Sequence, residues 1–248
     1  MPTLSINGKT IECNLCIFDM DGTIIDVKHR FEGMARVRAE VMKRTVGDSA
    51  TELWAKASGV DLKTGGFHLG GALTSAPRNE DLLVAATVIA IEGESWSEAK
   101  RIAEQIYTEA DNVLASTLKP VLLPGVEEAL RRMKDAGFRV ALATNAPHVS
   151  AKDLMNSVNL TEVFETIIGS DDVENSKPAP DMILLACERC GCMPDEAVYV
   201  GDMPIDMEAG RAAGVAAVIA VKSEFLAESG YSDYDAFIDS YDDVKASF

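Results

Sequence analysis

The chain has 248 residues, a formal net charge of -17, and 47% hydrophobic but 6% aromatic residues. That length buries a sizeable aliphatic core without disulfides, and that charge repels nucleic-acid phosphates and anionic lipid, so neither is expected as a partner. No apolar run reaches the roughly 18 residues of a membrane span. Met1-Pro2-Thr3-Leu4-Ser5 lacks a basic and apolar leader, which makes a cytoplasmic protein the expectation.

Leu4 to Ile11 alternates around Asn7-Gly8 and reads as a β-hairpin. A buried-type strand, Leu15-Cys16-Ile17-Phe18, then ends at Asp19. Residues 28 to 116 read as helices: Val27–Val46, Ser49–Ser58, Asn79–Ile91 and Ser95–Ala115, with capping-type Ser49, Asn79 and Ser95 at three starts. Between the second and third lies a stretch from Lys63 to Gly71 in which Gly65, Gly66, Gly70 and Gly71 argue against a regular element.

From Pro120 the period changes. The helices Val126–Ala136, Val149–Val158, Asp181–Cys190 and Ile205–Ala213 alternate with the strands Arg139–Thr144, Glu165–Ile168, Ala197–Val200 and Ala216–Val221. Such alternation predicts an α/β fold, a doubly wound parallel sheet covered on both faces. The core is then residues 1–25 and 119–248, with residues 26–118 as a helical insertion.

Cys13/Cys16 and Cys187/Cys190 formally make two CxxC pairs. Cys16 sits in a buried-type strand and the second pair falls at i, i+3 on a helix, so reduced structural thiols are expected rather than a zinc site. The acidic run Asp171-Asp172 and the acidic stretch Asp233, Asp235, Asp239, Asp242 and Asp243 read as solvated faces.

Chemistry-bearing residues gather at strand ends. Asp19 and Asp21, two apart, can point the same way beyond an apolar strand while Gly22 turns the chain away. The strand ending at Ala143 supplies Thr144 and Asn145, Ser176-Lys177-Pro178 offers an ammonium, and Val200-Gly201-Asp202 leads to a second acidic pair, Asp202 and Asp206. In this order the set is a constellation that chance turns would rarely produce.

The constellation resembles the haloacid dehalogenase superfamily of aspartate-nucleophile hydrolases, all four of whose motifs are present. The resemblance implies a Rossmann-like core in which Asp19 is the nucleophile and Asp21 the general acid and base. It makes Thr144 a phosphate hydrogen-bond donor and Lys177 the phosphate-neutralising cation, and Asn145 beside Thr144 is a further candidate for phosphate. Mg²⁺ is the implied cofactor, held by Asp19, Asp202 and the backbone carbonyl of Asp21, with Asp206 in support. The partner is a small phosphorylated metabolite.

The insertion resembles the helical cap of the family's first subclass, which includes phosphoglycolate phosphatases and β-phosphoglucomutases. Within it Lys63, His68 and Arg78 are candidates for contacting the non-phosphate end of the substrate, and His29 and His148 follow the first and second motifs closely. The expected function is a phosphatase working through an aspartyl-phosphate. A phosphomutase of the β-phosphoglucomutase type is the alternative, and a non-catalytic phosphate-binding or regulatory protein a more distant one. Asp21 argues against a dehalogenase, a branch that lacks an aspartate there.

Overall fold

A computed structural model describes residues 1–76 and 78–247, leaving Pro77 and Phe248 outside the described residues. The chain divides into two compact units, Met1–Asp26 with Pro120–Phe248, and Val27–Lys119.

The first unit is built on a six-stranded parallel sheet. Its strands are β3 (Leu15–Phe18), β4 (Arg139–Ala143), β5 (Thr166–Ile168), β6 (Ala197–Gly201), β7 (Ala217–Val221) and β8 (Ala236–Ile238), in the order β5-β4-β3-β6-β7-β8. The four residues of β3 are all buried, and they alternate by face. Cys16 and Phe18 join one hydrophobic cluster and Leu15 and Ile17 the other, as expected of a strand covered on both sides. The covering helices are α5 (Val126–Asp135), α6 (His148–Ser157), α7 (Asp181–Arg189), α8 (Pro204–Ala213) and the shorter α9 (Glu224–Ser229). α5 shows why such segments are helical: it buries Val126, Ala129, Leu130 and Met133, one stripe at helical spacing, and carries Glu127 and Glu128 in its first turn.

The hairpin β1 (Thr3–Ile6) and β2 (Lys9–Glu12) turns at Asn7 and Gly8, both at positive φ. It supplies two strands of a three-stranded sheet. β9 (Val244–Ser247) pairs antiparallel with β1, giving a second sheet of order β2-β1-β9. β8, β9 and α9 were not expected. They lie where acidic residues mask short apolar stretches; Asp233, Asp239, Asp242 and Asp243 are exposed as expected, but Asp235 is half-buried, accepting from Val218 N at 2.9 Å and pairing with Arg211 at 2.6 Å. Asp171 is exposed as expected, though it accepts from His148 N at 2.6 Å, whereas Asp172 is half-buried, accepting from Gly169 N at 2.8 Å with His148 Nδ1 2.7 Å away.

The second unit consists of α1 (Val27–Ser58), α2 (Ala72–Ser75), α3 (Arg78–Ile91) and α4 (Trp96–Thr117), with its own core around Trp54 and Tyr107. The expected break between two helices falls at Gly47 (φ 86°, ψ 178°) inside α1. Ser95 caps α4, accepting from Glu98 N at 3.3 Å. Ser49 and Asn79 do not cap: Ser49 donates to Glu92 Oε1 at 2.9 Å, and Asn79 is already inside α3. The Gly-rich stretch is ordered by local bonds, including Lys63 N to Asp61 Oδ1 at 2.8 Å and His68 N to Gly59 O at 2.7 Å. Gly71 passes so close to α1 that a Cβ there would stand 2.4 Å from Ser58 O.

Candidate active site

β3 is central in its sheet. β4 lies on one side and β6 on the other, with Phe18 in register with both Leu142 and Val200. The chain order reverses at β3, which opens the crevice where ligands bind in parallel sheets. Asp19 follows β3 directly and is anchored there by its N–H to Val200 O at 2.8 Å. Thr144 follows β4, and Asp202 follows β6.

Lys177 draws these ends together. Its Nζ donates to Asp19 Oδ1 and to Asp206 Oδ1, both at 2.7 Å, and to the hydroxyl of Tyr199 at 2.9 Å. Asp19, Lys177, Asp202 and Asp206 are all buried. The loop before α7 is locked in turn by Asn145, whose Nδ2 donates to Lys177 O at 3.2 Å and whose Oδ1 accepts from Lys177 N at 3.1 Å. Asn145, expected at the phosphate, is thus seen holding the lysine's backbone.

Asp206 sits in the first turn of α8. Its Oδ2 accepts from Met203 N at 2.9 Å and Asp202 N at 3.2 Å, which caps the helix and fixes the backbone of Asp202. Gly201 makes the approach possible, since a Cβ there would lie 2.4 Å from Asp206 Cβ. Thr144 is buried, and its Oγ1 accepts from Ala146 N at 3.2 Å, which leaves the hydroxyl proton available to a ligand. Asp21 is half-buried in the tight turn after β3, where Gly22 N donates to Ile25 O at 2.9 Å.

The electrostatics follow from burying several carboxylates around one ammonium. Burial pushes the Asp19 carboxyl up to about 7, with Lys177 opposing the shift and Asp206 adding to it. Burial, then the charges of Asp206 and Asp19, hold Asp202 well above the ordinary carboxylate range. For Lys177 burial favours the neutral amine, but Asp19 and Asp206 outweigh it and keep the ammonium well above the usual lysine range.

Asp19, Asp202 and Asp206 each offer an oxygen within 4.8 Å of the others. Asp206 is already saturated by Lys177 and two backbone N–H groups, so Asp19 and Asp202 are the better placed to take a cation. An all-oxygen donor set with excess buried negative charge fits a hard divalent ion such as Mg²⁺. It does not suit zinc, and all five cysteines are free thiols, four of them buried.

In the other unit Lys63, His68 and Arg78 are all exposed. Arg78 is engaged by Asp111, with Nε to Oδ2 at 2.9 Å and Nη2 to Oδ2 at 2.5 Å. His29 lies in the first turn of α1. Sequence reasoning missed Tyr199, Thr23, Ser223 and Tyr241. Tyr199 lies in the expected strand Ala197–Val200 and reads as a core aromatic; its hydroxyl donates to Ala143 O at 3.2 Å while accepting from Lys177.

A family model of the haloacid dehalogenase-like hydrolases matches residues 13–214, and the chain belongs to that family. A phosphoglycolate phosphatase of Salmonella typhimurium is 34% identical over 125 residues, 50% of this chain and 50% of that protein. The chain thus spans about half the length of the curated relatives it matches. A subfamily IA hydrolase of Geobacter sulfurreducens superposes with a TM-score of 0.66 at 23% identity, covering 92% of this chain and 93% of its own. A proposed β-phosphoglucomutase of Thermotoga maritima gives 0.63 at 25% identity, covering 91% and 94%. Among the described residues, no helix is long and apolar enough to cross a membrane.

Proposed function

We propose that this protein is a Mg²⁺-dependent phosphatase for a small phosphorylated metabolite, with Asp19 as its covalent nucleophile. The observation that carries the reading is Lys177, held 2.7 Å from both Asp19, past the end of β3, and Asp206, in the first turn of α8. A buried ammonium against a nucleophilic carboxylate is what attack on a phosphate dianion needs, because the like charges must otherwise repel.

Asp19 attacks phosphorus through a carboxylate oxygen as the bond to the leaving oxygen breaks, and Asp21 gives its proton to that oxygen. Asp21 then takes a proton from the water that attacks the aspartyl-phosphate, breaking the new P–O bond and releasing phosphate. Thr144 donates to a phosphoryl oxygen. Lys177 neutralises the charge there, steadied by Tyr199, Asp206 and Asn145. Mg²⁺ bound by Asp19, Asp202 and the Asp21 carbonyl would supply further positive charge to the phosphoryl group. The domain division proposed for the family, chemistry in the core and selection in the helical cap, assigns Lys63, His68 and Arg78 to the non-phosphate end of the substrate.

The test is phosphate release from a panel of phosphorylated metabolites with Mg²⁺ and with chelator. Phosphoglycolate heads the panel because curated relatives are named for it, followed by sugar phosphates, nucleotides and a generic aryl phosphate. Silence across the panel would sink the phosphatase reading. Substantial turnover by pure Asp19→Asn protein would remove Asp19 as the nucleophile.

A further inference from the structure

The family match stops at residue 214, yet two side chains beyond it reach the loops that carry Asp19 and Asp202. Tyr241 is 2% exposed, and its hydroxyl donates to the backbone carbonyl of Thr23 at 2.6 Å. Thr23 is itself fully buried and turns its own hydroxyl to Asp202 Oδ1 at 3.4 Å. From the opposite side Ser223 Oγ donates to the Asp202 carbonyl at 2.9 Å while accepting from Leu226 N at 3.0 Å, so one hydroxyl both caps α9 and holds Asp202.

The placement of Tyr241 does not depend on the site. Its ring is part of the cluster containing Ile24, Ile25, Val126 and Ile238, and its carbonyl accepts from Arg132 Nη2 at 3.4 Å. β9 follows at once and is locked to β1 in the register Ile6↔Val244. The hydroxyl is therefore a fixed donor aimed at the turn after β3, a turn entered through Gly22 at φ +78°. A buried carbonyl without a donor is costly, so the turn settles where Thr23 O meets Tyr241.

We infer that Tyr241 is a positioning residue of this active site, pinning Thr23 and through it the Asp202 carboxylate and the turn that presents Asp19 and Asp21. The inference rests on the reading of Asp19 and Asp202 given above, and its test separates the two. Tyr241→Phe, Thr23→Val and the double variant are compared with the unaltered chain and with Asp19→Asn. The readouts are kcat and KM for phosphate release, and Mg²⁺ affinity from the rise in Tm with added Mg²⁺ and no substrate.

Tyr241→Phe is expected to lower kcat by about 10- to 100-fold with KM changed by less than about 3-fold, and to weaken Mg²⁺ several-fold. Thr23→Val should act in the same direction. The double variant should be no worse than the more severe single, because both cut one connection. A Tyr241→Phe protein that melts earlier but keeps kcat and Mg²⁺ affinity within about two-fold would overturn the inference, leaving Tyr241 as packing alone. Effects that multiply in the double variant would overturn it too. If Tyr241→Phe does not fold, Thr23→Val decides, with unchanged Mg²⁺ affinity counting against. If the unaltered chain releases no phosphate, the functional reading fails, and the Mg²⁺ arm decides alone: an equal or absent Tm shift in both proteins overturns the role of Tyr241, and a weakened one supports it.

Discussion

The carboxylate of Asp202 occupies the space where a side chain at Gly22 would begin: a Cβ built on Gly22 would stand 2.1 Å from Asp202 Oδ2. Gly22 also has φ +78°, a backbone region that L side chains rarely adopt. Both constraints act on the turn that joins Asp19 to the rest of the site. Gly22→Ala should therefore push Asp202 aside and reduce Mg²⁺-dependent turnover by about 100-fold or more. Steady-state kinetics over a Mg²⁺ series would show it, and near-normal activity would mean that Asp202 tolerates displacement and is not a ligand.

Asp19 yields a pH prediction for the metal-free protein. Its carboxyl is pushed up to about 7 from an ordinary value of 3.8, with burial the leading cause. A folded pKa above the unfolded one means that stability is fully present below the unfolded value and is lost as pH rises through the folded one. Asp202 is shifted in the same direction. In chelator the Tm should fall as pH rises from about 4 to about 7, a loss on the order of a few kcal/mol, and Asp19→Asn, which cannot ionise, should show a shallower decline. Superimposable profiles would show that the Asp19 charge is not the burden proposed.

Lys177 is the counterweight to that charge, and removing it should expose the imbalance. Lys177→Met leaves Asp19 and Asp206 facing each other, both buried, with Tyr199 deprived of its donor. Breaking a buried ionic contact from one side costs about 3–5 kcal/mol, here at neutral pH and without metal. Urea unfolding should report that loss, with a smaller deficit in acid, where Asp19 takes up a proton. Equal stability at neutral pH would mean that Lys177 is not the counterweight to the Asp19 charge.

The parallel sheet is legible because its core strands are apolar runs followed by a turn or cap signal, β8 alone being obscured by the acidic residues around it, and Asp19, Thr144 and Asp202 sit one position past β3, β4 and β6. Asp19 past β3, Lys177 in the loop before α7 and Asp206 in the first turn of α8 converge. What escaped was long-range and chemically bland. Tyr199 looks like any buried aromatic until its hydroxyl is found 2.9 Å from Lys177 Nζ. Tyr241 lies 218 residues from its partner Thr23, and no local pattern encodes that contact. Asn145 shows the opposite difficulty: its proximity to Thr144 was plain, but whether its amide faces the ligand or the Lys177 backbone depends on how two loops meet. The acidic residues around β8 and β9 were read by their charge, although Asp235 is used as a hydrogen-bond acceptor for β7.

The helical unit carries its own buried ion pair, and this sets the last prediction. Arg38 on α1 and Asp81 on α3 meet at 2.5 Å with both side chains 3% exposed. Arg38 also lies 4.4 Å from the centroid of the Tyr107 ring, and the Tyr107 hydroxyl donates to Asp81 O at 3.1 Å while accepting from Trp54 Nε1 at 3.2 Å. Burial raises the Asp81 carboxyl, with Arg38 opposing the shift. The network is incompletely satisfied, because Arg38 Nε is buried without a partner. Removing one member is therefore the damaging change: Asp81→Leu leaves a buried guanidinium unpaired and should cost about 3–5 kcal/mol. Arg38→Met should do the same to the carboxylate, less so in acid, where Asp81 takes up a proton. The double replacement removes both charges and the orphaned Nε together, so it should recover most of that loss or exceed the unaltered chain. Denaturant titrations of the four proteins close the cycle. Additive losses would show that Arg38 and Asp81 act separately, each through its own packing against Tyr107 and Ser58, and that the ion pair does not hold α1 to α3.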